Sequence, residues 1–197
     1  MNSSENLILT GWGHVEYVVA AAVALKALRG DADVRGVSRR RLPERMEELA
    51  DAREGHDHGG KCRCRHVYII GVSVSGDPER LAAALKRLLA RGVKTMWISA
   101  LEMPGEAAAA LAGLMETKVY DTSLLEAVGA ALAVDVEAFE PFLKSEKKAT
   151  AESRAYIAFI QAAQFYYRNY QDEALFAQAV GYIAHGIRQA AWRSEER

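Results

Sequence analysis

Residues 66–98 read as one supersecondary unit, and that unit limits the class of fold. His66-Val67-Tyr68-Ile69-Ile70 is β-branched and aromatic, the composition of a central strand. Gly71 to Gly76 is a Gly/Ser loop, and Asp77-Pro78-Glu79 is a helix start, a capping acid followed by proline at the first helical position. Leu81, Leu85, Leu88 and Leu89 then recur at helical spacing up to Gly92, and Val93 to Ile98 is a second strand. A strand, helix and strand within about thirty residues predict a right-handed crossover between parallel strands.

The flanking segments extend the same alternation. Leu7-Ile8-Leu9-Thr10, closed by Gly11-Trp12-Gly13, suits a buried strand ending in a tight loop. From Val15 to Arg29 apolar residues fill most of a helix surface, as in a helix packed on a sheet, and Gly30 follows as its stop. Asp33 to Val37 is a weaker strand. Pro43 opens a helix over Glu44 to Arg53 with Leu42, Met46 and Leu49 on one side. Pro104 starts a helix through the alanine-rich stretch to Met115. Thr117 to Tyr120 is a short strand, and Asp121-Thr122-Ser123 caps a helix to about Ala133.

From Asp135 onward only helices are expected. Pro141 and the charged Lys144–Lys148 segment precede a two-helix tail. Tyr156, Phe159, Ala163, Tyr166 and Tyr170 fall at heptad-like spacing in its first helix, as do Phe176, Ala179, Val180, Ile183 and Ile187 in its second. Such stripes are core, or the seam of a homodimer. The expectation is an α/β fold with a parallel, doubly wound sheet of about five strands flanked by helices. Residues 1–135 form the α/β domain, and residues 136–197 a helical extension packing on the same core. A chain of 197 residues can bury such a core without disulfides.

Charge narrows the partners. Lys and Arg number 25 against 26 Asp and Glu, a net charge of −1, so neither bulk nucleic acid nor an anionic membrane is an expected partner. The basic run Arg39-Arg40-Arg41 is followed directly by Glu44, Glu47 and Glu48 and reads as a solvated mixed-charge face. The longest apolar stretch, Val15 to Ala27, is broken by Glu16 and Lys26 and falls short of the ~20 residues a membrane span needs. With no basic start to a leader and only two cysteines, Cys62 and Cys64, the cytoplasm is the expected compartment.

In a doubly wound sheet, ligands sit beyond the carboxyl ends of the strands. Three loops lie there, and their texture carries a resemblance. Leu7-Ile8-Leu9-Thr10-Gly11-Trp12-Gly13-His14-Val15-Glu16-Tyr17 leads into a small-residue helix. Val67 to Leu81 includes a D-P-E helix start, and the strand Gly92 to Ile98 is followed by Ser99-Ala100-Leu101-Glu102. Thr122-Ser123-Leu124-Leu125-Glu126-Ala127-Val128 follows in turn. In element order and in these segments the chain resembles the N-terminal domain of the DHH phosphoesterase superfamily, which includes RecJ-type nucleases, oligoribonucleases and exopolyphosphatases. The likeness covers roughly residues 5 to 135.

That resemblance implies two divalent cations held by Asp and His side chains, which would generate a hydroxide nucleophile. The residues depart from the pattern. Gly11 stands for the family's first His, His14 and Glu16 for two Asp ligands, Gly71 for the second-motif Asp, and Ser99-Ala100-Leu101 for the Asp-His-His triplet. No paired Mn or Mg site is therefore expected. The reading leans away from an enzyme; an active chain would be a metal-dependent phosphoesterase with substituted ligands.

The expected function is a degenerate, non-catalytic domain that binds a small phosphorylated ligand or serves as a regulatory and oligomerising module. The candidate cleft comprises Gly11, Trp12, Gly13, His14, Glu16, Gly71, Ser73, Ser75, Ser99 and Glu102, whose backbone N–H groups and hydroxyls suit a phosphate near helix N-termini. Plain turn chemistry explains the same residues, and a polar pair at a helix start explains His14 and Glu16. Separately, His56, His58, Cys62, Cys64 and His66 bring zinc-preferring side chains into eleven residues. Their spacing matches no standard finger, and Lys61, Arg63 and Arg65 repel a cation, so a polar loop is the favoured account and a zinc-responsive module the alternative.

Overall fold

A computed structural model of the chain describes residues 4–52, 64–74, 76–143 and 151–195; the side chains of residues 151–153 and 186–195 are outside the description. Five strands, β1 (Asn6–Thr10), β2 (Asp33–Gly36), β3 (His66–Ile70), β4 (Lys94–Ser99) and β5 (Glu116–Val119), form one sheet in the order β2-β1-β3-β4-β5. Every pairing is parallel, with Ile8 beside Val34 and Tyr68, and Ile70 beside Ile98. The α/β expectation therefore holds, and the order reverses direction between β1 and β3.

Alternation along the strands divides the core in two. Ile8, Ile70 and Ile98 face α1 (Val15–Ala27), α5 (Leu124–Leu132), α6 (Ala151–Tyr170) and α7 (Glu173–Glu195). Leu7, Leu9, Val67, Ile69 and Trp97 face α2 (Leu42–Asp51), α3 (Pro78–Ala90) and α4 (Gly105–Leu111). In α1 the eight residues Val18 to Leu25 are all buried, because α5, α6 and α7 enclose the side turned away from the sheet. A 3-10 helix, Glu137–Phe142, buries Phe139 and Phe142 beside it.

Caps explain the helix starts. Asp77 accepts a hydrogen bond from the Arg80 N–H (3.1 Å) with Pro78 next in line, and Ser123 and Glu126 form a reciprocal capping box on α5. Element ends differ from expectation where a glycine or proline acts. The helix expected to run from Pro104 to Met115 is shortened to Gly105–Leu111, with Pro104 outside it and Gly113 at φ +72 just beyond.

The aromatic stripe of α6 needs correction. Its buried line is Ile157, Ile160, Ala163 and Tyr167, whereas Tyr166 and Tyr170 are 46% and 70% exposed. The α7 stripe lies inside at Phe176, Ala179, Val180 and Ile183, while the Ile187 side chain lies outside the described residues.

An ion pair joins α2 to α3. Arg80 donates from Nε (2.7 Å) and from Nη2 to the two carboxylate oxygens of Glu47. This bond holds the Glu47 carboxyl below the usual glutamate range, and a depressed folded-state value stabilises above the unfolded value and fades as pH falls through the folded one. Glu47→Gln should therefore lower the urea midpoint at neutral pH, with the gap to the parent closing in acid. A gap independent of pH would show that the pair contributes nothing through ionisation.

Candidate functional site

The carboxyl edge between β1 and β3 is where the sequence places a ligand, and hydrocarbon fills it. Gly11 ends β1 and Gly71, at φ +66, ends β3. A Cβ on Gly11 would stand 2.7 Å from Tyr17 Cδ2, and one on Gly71 would stand 2.5 Å from Leu124 Cδ2 and 2.8 Å from Tyr17 Cε1. Tyr17 from α1 and Leu124 from α5 thus pack directly onto the two glycines. The Thr10 hydroxyl, fully buried, donates to the Tyr17 carbonyl (3.2 Å) and fixes the turn that places this ring.

Polar groups around the crevice are engaged with backbone. Glu16 Oε1 accepts from the Leu124 N–H (2.9 Å), tying the first turn of α1 to the start of α5. The Ser99 hydroxyl is buried and accepts from the Leu101 N–H (3.0 Å), and Glu102 is exposed. Trp97 Nε1 donates to the Val72 carbonyl (2.8 Å), which anchors the loop after β3; Ser73 on that loop is exposed. Trp12 is half-buried, its ring 5.7 Å from that of Tyr167 and its carbonyl accepting from Gln164 Nε2 (2.8 Å). It belongs to the wall that α6 presses against the sheet.

Gly13 and His14 remain at the rim, both exposed. His14 sits at the N-cap of α1 in extended backbone, makes no side-chain cap and turns its ring edge-on to Tyr17 at 5.6 Å. Asp77 and Ser123 cap α3 and α5, whereas the first turn of α1 carries no such side chain.

The structure brings Gly11, Gly71, Glu16 and His14 around Tyr17 and holds Ser99 in its own turn. Ser75, His56, His58 and Cys62 lie outside the described residues. Of the remaining zinc candidates, Cys64 Sγ donates to the His66 carbonyl (3.3 Å) and His66 tilts against Tyr68, the ring centroids 6.5 Å apart. Among the described residues no three His, Cys, Asp or Glu side chains group as metal ligands.

Sequence reasoning missed Tyr17 and Leu124, which decide the shape of the crevice. It also missed a cavity of about 370 Å³ at the opposite, amino edge of the sheet, lined by Tyr68, Met96, Leu89, Leu114, Met115 and Glu116. Burial there raises the Tyr68 phenol above its ordinary value, and the Glu116 carboxylate adds to the shift. Compared with protein-family models and with curated proteins, the chain matches none. Among the described residues, no helix is long and apolar enough to cross a membrane.

Proposed function

We propose that the chain is a non-catalytic α/β domain, degenerate with respect to the DHH phosphoesterases it resembles, whose work is binding. The observation that carries this reading is the packing of Tyr17 and Leu124 onto Gly11 and Gly71, in the place a two-cation centre would need. The residues at the ligand positions do not fit such a centre. Gly11 and Gly71 have no donor, one oxygen of Glu16 accepts from the Leu124 N–H and the Ser99 hydroxyl from the Leu101 N–H, and His14 with the other Glu16 oxygen is too small a set for two cations. A hydrolytic step lacks there the carboxylates that would hold a pair of cations and, through them, a hydroxide.

A small phosphorylated ligand is the occupant this rim suits. The first turn of α1 supports it, since no side chain caps it and the positive end of the helix favours an anion beside Gly13 and His14.

Turnover assays with Mn²⁺ on nitrophenyl phosphodiesters, pyrophosphate and short oligonucleotides should stay at the protein-free rate. Mn²⁺-dependent hydrolysis that disappears in His14→Ala would overturn the non-catalytic reading. Nucleoside phosphates should raise Tm with concentration, as any ligand of the folded state does. Gly13→Glu, which brings a carboxylate to the rim, should abolish that rise. An unchanged Tm with every phosphate would remove the ligand from the proposal.

A further inference from the structure

We propose that Arg39 and Arg40, on the loop after β2, are the anion-holding side chains of the crevice, and that its ligand carries two adjacent phosphates. This rests on the reading of the crevice rim as a phosphate site and supplies the positive side chains for it. The loop is held at the carboxyl edge. The Val37 N–H donates to the Thr10 carbonyl (2.8 Å) at the end of β1. Arg39 then packs against the loop after β3, where a Cβ on Gly76 would stand 2.7 Å from the Arg39 carbonyl oxygen and 3.5 Å from its Cγ. The connections after β2 and β3 lead to α2 and α3 on one face of the sheet, and the one after β1 leads to α1 on the other. Arg39 and Arg40 therefore border the crevice on the side opposite Gly13 and His14.

Pairing singles out these two arginines. The acids that follow them in sequence were expected to balance the basic run, yet each is engaged by another residue. Glu44 accepts from Arg41 (3.4 Å), Glu47 from Arg80 (2.5 Å) and Glu48 from Arg45 (2.8 Å). Asp77, next to Gly76, accepts from the Arg80 N–H as the cap of α3. Arg39 and Arg40 are exposed and have no ion pair or hydrogen bond among the described residues. A guanidinium is a planar fork that holds phosphate oxygens in pairs, so two uncompensated ones side by side favour a phosphate. Neighbouring strands lie about 4.8 Å apart, so the loops after β2, β1 and β3 start within roughly 10 Å of one another. One phosphate serves one side of the crevice. Two adjacent phosphates serve both, one at the α1 helix end and one at the arginines.

Isothermal titration of the full chain with ADP should show saturable binding, weaker with AMP and absent with adenosine. Pyrophosphate should bind too, because the recognised group is the diphosphate. Arg39→Gln/Arg40→Gln should weaken ADP binding by at least about tenfold. The Tm without ligand should be unchanged, since neither side chain holds a partner in the fold. Arg154→Gln/Arg168→Gln makes the same change of charge at exposed positions on α6 and should alter the affinity by less than about twofold. Equal losses in the two double variants would reduce the effect to general charge attraction and overturn the proposal. AMP binding as tightly as ADP, or ADP binding without pyrophosphate, overturns the two-phosphate ligand. Binding abolished by Gly13→Glu but indifferent to Arg39→Gln/Arg40→Gln overturns the arginines and leaves the crevice reading in place. A parent that binds none of these phosphates removes both.

Discussion

Gly71→Ala should destabilise the protein by about 2–5 kcal/mol, a large share of the ~5–15 kcal/mol that holds a domain of this kind. Two costs combine. A side chain at φ +66 is strained by roughly 1–2 kcal/mol, and overpacking of an occupied site adds about 1–3 kcal/mol. The new methyl would meet Leu124 and Tyr17 at contact distances no Cβ tolerates. Gly92→Ala separates the two terms, since Gly92 has φ +78 but nothing within 4 Å of a Cβ. It should lose only the conformational part. Urea unfolding of both variants reads the difference, and equal losses would mean that the crevice is not packed.

Tyr167→Ala should cost about 3–5 kcal/mol, the range for truncating a large buried ring. Tyr167 is 4% exposed, lies between Trp12 and Phe176, and its hydroxyl donates to the Gly36 carbonyl. Its ring fits only because residue 36 is glycine, where a Cβ would stand 2.7 Å from the ring carbon Cζ. Tyr167→Phe isolates the hydroxyl and should cost about 1–3 kcal/mol by leaving that carbonyl unpaired. Because the ring belongs to the same cluster as Ile8 and Val18, unfolding should shift as one transition. Two separate transitions in Tyr167→Ala would show that the helical hairpin unfolds on its own.

The sheet was legible because its strands are β-branched and its turns carry Gly, Pro and Asp at positions with local reasons. Asp77-Pro78 and Ser123 with Glu126 need no tertiary knowledge to read. The faces of α6 were not legible. Tyr166 and Ala163 share a heptad-like stripe, but burial follows the line through Ile157, Ile160 and Tyr167, which points at Gly36 and α7. The contents of the crevice were hidden for a similar reason. Tyr17 looked like one more residue of an apolar helix, and Leu124 lies 108 positions from the Glu16 that caps its N–H. Candidate ligand positions follow from local sequence, whereas what occupies the space between them depends on distant contacts.

The enclosure of α1 has a consequence for biogenesis. Its Val18–Leu25 segment leaves the ribosome well before the helix that walls it in, α7, which is made far downstream. At about 5–20 residues per second, an almost wholly apolar rod stays unshielded for several seconds while the intervening strands are synthesised. Holdase capture of nascent chains should therefore concentrate on this segment and release it once α7 is available to close over it.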